Sequence, residues 1–402
     1  MVKTAYRKVK KNQGSAGVDG ESLEEYQKDL QNNLYQLWNR LASGSYFPKP
    51  VRSVEIPKSN GKKRKLGIPT VSDRIAQQVI KSYIEPALEL EFSDHSYGYR
   101  PLKSAHQAIS QVRENVRKKA WVVDMDIKRF FDEVDHELLQ KAIDRHVEEN
   151  WVKIYIKRWL ECSSQQSDGE QVQPQGKGTP QGGVISPILA NLYLHYVLDK
   201  WMIINHPNIP FVRYADDVIL HCETQEQAQF VLKSIQERIQ SCKLQLNEEK
   251  TQVVHCLSYR SKRKKNMKRK FGFLGFTFQP KTTAAKSGKL FLGYDCSISQ
   301  QAKSRIINEW KSAGFYRNST MELQQIANQE NPRIRRVMNY YGKFNYWTLR
   351  ELFEHFNFRL AKWAVKKYKR FKGSMKKAFY WIRHIKSMFP NLFHHWRYFK
   401  YL

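Results

Sequence analysis

The chain is short of acidic residues, of paired cysteines and of long apolar runs, and each shortage excludes something. Aspartate and glutamate total 38 against 69 lysines and arginines, a formal charge of +31. So large an excess repels itself and favours a polyanionic partner, with nucleic acid first and an anionic membrane surface second. No apolar run reaches the roughly 20 residues of a membrane span. The start, Met1-Val2-Lys3-Thr4, has no signal-peptide core, so a cytoplasmic location is expected. Five cysteines (Cys162, Cys222, Cys242, Cys256 and Cys296) lie far apart, are odd in number and form no CxxC pair. Neither a structural zinc site nor a disulfide framework is indicated. There is no internal repeat.

What is present is ample for more than one domain: 402 residues, 41% of them hydrophobic. Val54-Glu55-Ile56-Pro57 and Lys65-Leu66-Gly67-Ile68-Pro69 flank a basic segment and predict a hairpin with a basic tip. A helix is expected over 73–90 with Ser72 as its N-cap. Val122 to Ile127 alternates as a strand, with Asp124 and Asp126 on one face and Val123, Met125 and Ile127 on the other. Helices are expected over 135–159, after a Ser186 cap, and over 224–242. Leu244-Gln245-Leu246 and 271–278 read as strands. From about 285–298 the chain turns helical, basic and aromatic. Tyr340, Tyr341, Trp347, Trp363, Tyr380 and Trp396 stand among arginines and lysines there. Such rings suit base stacking beside cations, or simply a helical core.

The chemistry is concentrated in Tyr214-Ala215-Asp216-Asp217, set between Phe211-Val212 and Val218-Ile219-Leu220. Burying a carboxylate is costly unless it is paired or holds a metal. A tight bend lets adjacent aspartates project to one side, and Asp126 on a neighbouring strand would complete a set of three. Transfer of a nucleotide to a 3′ hydroxyl uses two divalent cations about 4 Å apart. Magnesium takes oxygen ligands. Asp124 is the alternative to Asp126.

Phe211 to Asp217 resembles the YxDD motif of reverse transcriptases, and Val123 to Asp132 resembles their first metal-binding strand. Gly178-Thr179-Pro180-Gln181-Gly182-Gly183 with Ser186-Pro187, Ser96 to Pro101, Leu246 to Thr251 and Phe273-Leu274-Gly275-Phe276 match further segments in the family's order. The C-terminal part is similar to the thumb or maturase domain of group II intron proteins. The resemblance covers nearly the whole chain. It implies a right-hand α+β polymerase: an N-terminal extension and fingers in 1–105, a palm with a small antiparallel sheet in 106–285, and a helical thumb in 286–402. The cysteine pairs of the family's endonuclease module have no counterpart, so the compact form is expected.

Roles follow from the resemblance position by position. Asp126, Asp216 and Asp217 match the catalytic, metal-holding carboxylates, with two Mg2+ ions and Mn2+ as a substitute. Phe131 matches the aromatic that selects deoxyribose. Lys58 and Arg64 match the hairpin cations on the triphosphate, with Lys62, Lys63 and Lys65 as alternatives. Gln181 would meet the incoming nucleotide or the templating base, and Lys250 matches a lysine near the primer. Arg52, Arg74 and Tyr214 are candidates for template or primer contact. The loop with Gly14 and Gly17 resembles the template-clamping loop of group II intron enzymes. The implied partners are an RNA template with a DNA or RNA primer, dNTPs and the intron RNA. A vestigial polymerase kept as an RNA-binding maturase, or one recruited to host defence, is the alternative.

Overall fold

The computed structural model describes residues 1–57, 63–256, 267–284 and 288–399. Lys58 and Lys62 therefore lie outside the described residues. Two compact units divide the chain, Met1–His255 and Cys256–Leu402. The class is α+β, as expected. Among the described residues no helix is long and apolar enough to cross a membrane.

In the first unit, β1 (Val51–Pro57) and β2 (Lys63–Ile68) pair antiparallel, with Ile56 opposite Arg64. The hairpin expected from the sequence is thus formed. Strand β3 (Trp121–Asp126) is buried through Val122, Val123 and Met125, while Asp124 and Asp126 remain partly open. Short strands β4 (Ser164–Gln165) and β5 (Gln171–Val172) extend the hairpin sheet in the order β2-β1-β4-β5. Strands β6 (Phe211–Tyr214), β7 (Asp217–Cys222) and β8 (Gln252–His255) join β3 in an antiparallel sheet of order β6-β7-β3-β8. Val218 to Cys222 is buried without a break, because helices Ala105–Lys118 and Gln225–Ser241 pack on this sheet.

In this first unit the structure corrects three local readings. The helix expected at 73 begins at Val71, and its cap is Thr70 rather than Ser72. The Thr70 hydroxyl accepts from the Asp73 amide and donates to the Asp73 carboxylate at 2.8 Å, which Tyr46 also reaches at 2.6 Å. Ser186 opens its helix, Ser186–Leu194, without capping it, since its hydroxyl donates to the Pro180 carbonyl at 2.9 Å. Leu246 makes only an isolated bridge to Ile127, and the strand itself comes later, as β8.

The second unit opens with β9 (Phe271–Phe273), β10 (Phe276–Ala284) and β11 (Leu290–Ile298), an antiparallel sheet of order β11-β10-β9. Leu274 and Gly275, both at positive φ, make the turn that splits the expected 271–278 strand in two. Helices Gln300–Ala313, Leu323–Asn345, Arg350–Lys367 and Met375–Met388 follow. The aromatic residues divide between core and surface: Trp310, Phe353, Phe356, Trp363 and Trp396 are buried, whereas Trp347 and Tyr380 are each 60% exposed.

Candidate active site

Strand register assembles the carboxylates. Asp126, the last residue of β3, stands opposite Asp217, the first residue of β7. Tyr214 pairs with Asp217 across the hairpin, so Ala215 and Asp216 form a two-residue turn, with Ala215 at φ +56°. An L-residue there carries strain that surrounding structure must sustain. Gly98 supplies part of that support. A Cβ on it would lie 2.5 Å from the Ala215 amide nitrogen and 3.1 Å from the Tyr214 carbonyl carbon. The Ser96–Pro101 segment is therefore the floor on which the turn rests.

Electrostatics bind these groups into one unit. Burial, then the charges of Asp216, Asp126 and Asp124, pushes the Asp217 carboxyl up to about 7. Burial, and secondarily Asp126, also raises Asp216. Asp126 is shielded differently: its Oδ2 accepts from Lys250 Nζ at 2.8 Å and from Asn247 Nδ2 at 3.0 Å. Burial alone would lower Lys250, but Asp126, Asp217 and Asp216 together raise it. Asp124 accepts from Gln252 on the adjacent strand at 2.8 Å. Among the described residues no three His, Cys, Asp or Glu side chains are drawn into a set that would hold an ion. The donor set nonetheless suits a divalent cation. It offers oxygen ligands only, and a cation would offset the burial and the neighbouring carboxylate charges that raise Asp216 and Asp217.

Around this cluster the loop 176–183 is stitched to its neighbours. The Thr179 amide donates to the Phe131 carbonyl at 2.7 Å, and the Gly67 amide donates to the Gln181 carbonyl at 2.6 Å. Gly182, at φ +116°, has room for no Cβ, which would sit 2.3 Å from the Gly67 carbonyl oxygen. Gln181 Nε2 reaches Asp132 at 3.3 Å. Phe130 is buried against Tyr193 and Phe131, and Phe131 itself stays half-buried. Arg64 is exposed on β2. Arg52 is half-buried on β1, and its Nε has no hydrogen-bond partner among the described residues. Arg74 is buried and holds the N-terminal loop, donating to the carbonyls of Gln13 at 3.3 Å and Ser15 at 3.0 Å. Gly14 lies against that guanidinium, and Gly17 against the Thr70 backbone.

Sequence reasoning assigned no role to Asn247, Gly98 or Tyr99. Tyr99, at φ +59°, has its ring 6.5 Å from that of Tyr214, and its hydroxyl feels the charges of Asp216, Arg64 and Asp217. All three residues lie inside segments already singled out by resemblance, which was the only signal available for them.

A carboxylate turn between antiparallel strands, facing a third carboxylate on the central strand and flanked by a basic hairpin, defines a polymerase palm with adjoining fingers. Residues 56–278 match the family model described as reverse transcriptase (RNA-dependent DNA polymerase), and residues 307–381 match the group II intron maturase-specific domain. The chain is similar to Protein YkfC of Escherichia coli, 34% identical over 276 residues, which is 60% of this chain and 72% of that protein. It is also similar to the group II intron-encoded protein LtrA of Lactococcus lactis, 33% identical over 275 residues, 65% of this chain and 42% of LtrA. The chain thus spans less than half the length of LtrA. This protein belongs to the reverse transcriptase family, within its group II intron-encoded maturase branch and with that family's right-hand polymerase fold.

Proposed function

We propose that this chain copies RNA into DNA by adding deoxynucleotides from dNTPs to the 3′ end of a DNA or RNA primer. It acts in the cytoplasm and binds an intron RNA as a splicing maturase. The observation that carries the polymerase reading is the cross-strand pairing of Asp126 with Asp217, beside Asp216, inside the matched family region. The maturase reading is supported by the match over 307–381.

Asp126, Asp216 and Asp217 would hold two Mg2+ ions, with Mn2+ as a substitute. The ions would supply Lewis-acid activation of the 3′ hydroxyl and charge stabilisation on the triphosphate. The chain's own residues do the rest. Lys250, on Asp126, keeps a positive charge at the edge of the carboxylate cluster. Arg64 offers a cation to the triphosphate from β2, and Lys58 is the second cation that the family resemblance implies. Gln181 faces the nucleotide from a loop that Gly182 allows to approach β2 closely. Arg52, Arg74, Tyr214, Gly14 and Gly17 serve the template–primer side, Arg74 by fixing the loop rather than by direct contact. The fingers, palm and thumb correspond to 1–105, 106–285 and 286–402.

The test is primer extension on an RNA template with Mg2+ and dNTPs. DNA product from the wild-type protein is expected, and none from well-folded protein would refute the polymerase reading. Phe131→Ala is expected to relax discrimination against ribonucleotides, because a flat ring beneath the sugar leaves no room for a 2′ hydroxyl. Incorporation of rNTP relative to dNTP measures it, and an unchanged ratio would remove Phe131 from that role.

A further inference from the structure

Arg213 immediately precedes Tyr214 and is fully buried, as is its partner Asp199. The guanidinium makes a two-pronged contact with that carboxylate, Nε to Oδ1 at 2.7 Å and Nη2 to Oδ2 at 2.5 Å. Its remaining arm, Nη1, donates to Asn191 Oδ1 at 3.0 Å and to the carbonyl of Ala215 at 3.2 Å. Asn191 in turn donates to the Gly98 carbonyl at 2.8 Å. Gly98 is the residue whose backbone lies against the Ala215 amide. The strained residue of the turn is thus gripped on its carbonyl side by Arg213 and on its amide side by the Ser96–Gly98 backbone, and Asn191 ties the two grips together.

Asp199 is brought to this place by an irregularity. It ends a π-helical stretch, His195–Asp199, between the helices Ser186–Leu194 and Lys200–Asn205. A wide turn changes the angular position of every residue after it. Arg238 stabilises the irregular turn from the next helix, donating to the carbonyls of Tyr196 and Val197, each at 3.0 Å. A buried ion pair is often no more stabilising than a well-packed apolar pair of the same shape. This one therefore needs a reason other than stability, and its spare arm supplies one.

We propose that Asp199, Arg213 and Asn191 form a positioning unit that fixes the Ala215 carbonyl, and through it the placement of Asp216 and Asp217 for divalent-cation binding. None of the three touches the reacting groups; they act through the turn. The inference rests on the polymerase reading for its consequences in catalysis, though not for its consequences in metal binding.

Three variants test it. Arg213→Lys keeps the buried charge but lacks the fork that serves Asp199 and Ala215 together. The double variant Asp199→Asn with Arg213→Gln removes both charges, isosterically at 199 and with a shorter side chain at 213. Asn191→Ala leaves the ion pair intact and frees only Nη1 and the Gly98 carbonyl, so it is the variant least able to unfold the protein. Two quantities are read: the MgCl2 concentration giving half of the metal-induced rise in melting temperature, and kcat and KM for dNTP in primer extension.

The half-effect concentration is expected to rise several-fold in all three variants. The kcat is expected to fall on the order of tenfold to a hundredfold, the scale of a small misplacement of reacting groups. The KM for dNTP should stay within about twofold of wild type, since ground-state contacts are untouched. The proposal is overturned if Asn191→Ala, folded at wild-type melting temperature, shows an unchanged half-effect concentration. It is equally overturned if the other variants lose activity only in proportion to folded protein. If wild-type protein makes no DNA, the polymerase reading fails, and the melting curves with MgCl2 still decide this one.

Discussion

Asp217→Asn is expected to abolish primer extension and, in EDTA above pH 7, to make the protein more stable than wild type. The activity loss follows from removing an anionic oxygen from a site built to concentrate them. Synthesis should fall by about a thousandfold or more, equivalent to roughly 4 kcal/mol of transition-state stabilisation. The stability gain follows from the raised carboxyl. An unfolded aspartate titrates near 4, and the folded Asp217 near 7. Below the lower value the group is neutral in both states and costs nothing. As pH rises through the interval the folded state resists losing the proton, so wild-type stability falls, and above about 7 the full penalty is present. Asparagine has no such penalty. Melting temperatures of the two proteins in EDTA should therefore lie close together near pH 4 and diverge by several degrees at pH 8, with the variant higher. Saturating MgCl2 should reverse the order by stabilising wild type. Retention of synthesis within tenfold of wild type would remove Asp217 from the catalytic set. Identical melting curves at pH 8 would show that burial and the neighbouring carboxylates do not raise Asp217.

Gly98→Ala is the second large effect, and it needs no change of charge. The new methyl would lie 2.5 Å from the Ala215 nitrogen and 3.1 Å from the Tyr214 carbonyl carbon, both of them backbone atoms that no rotamer change can move. Either the Ala215–Asp216 turn lifts or the 96–98 segment withdraws and loses the Asn191 hydrogen bond. A stability loss of about 1–3 kcal/mol is expected from overpacking, with a fall in kcat on the order of a hundredfold from displaced carboxylates. Gly342→Ala is the contrasting substitution. It lies within the Leu323–Asn345 helix, where the nearest atoms to a Cβ are side-chain carbons at 3.5–3.6 Å. It should stabilise by up to about 1 kcal/mol, because alanine loses less entropy than glycine in a helix. Denaturant unfolding and primer extension on the two variants separate crowding at the turn from any general effect of glycine replacement. Wild-type activity in Gly98→Ala would show that the turn does not rest on that segment.

The sequence determined what depends on near neighbours. Alternation in Val122–Ile127 placed Asp124 and Asp126 on one face, and the apolar flanks of Asp216-Asp217 marked a hairpin set into a core. Helical periodicity was equally legible, since period is a local property. Tertiary structure alone decided which polar groups are already engaged. Lys250 meets Asp126 across 124 residues, and Gln252 meets Asp124 across 128, which separates two aspartates that looked alike in the strand. Arg74 turned out to hold the Gln13–Ser15 loop, and Ser186 to bond Pro180 rather than cap a helix. The Arg213 network joins residues 98, 191, 199, 213 and 215, and its acid comes from a π-helical turn. A hydrogen bond is specific to distance and direction, and those are set when distant segments pack, not by the order of residues along the chain.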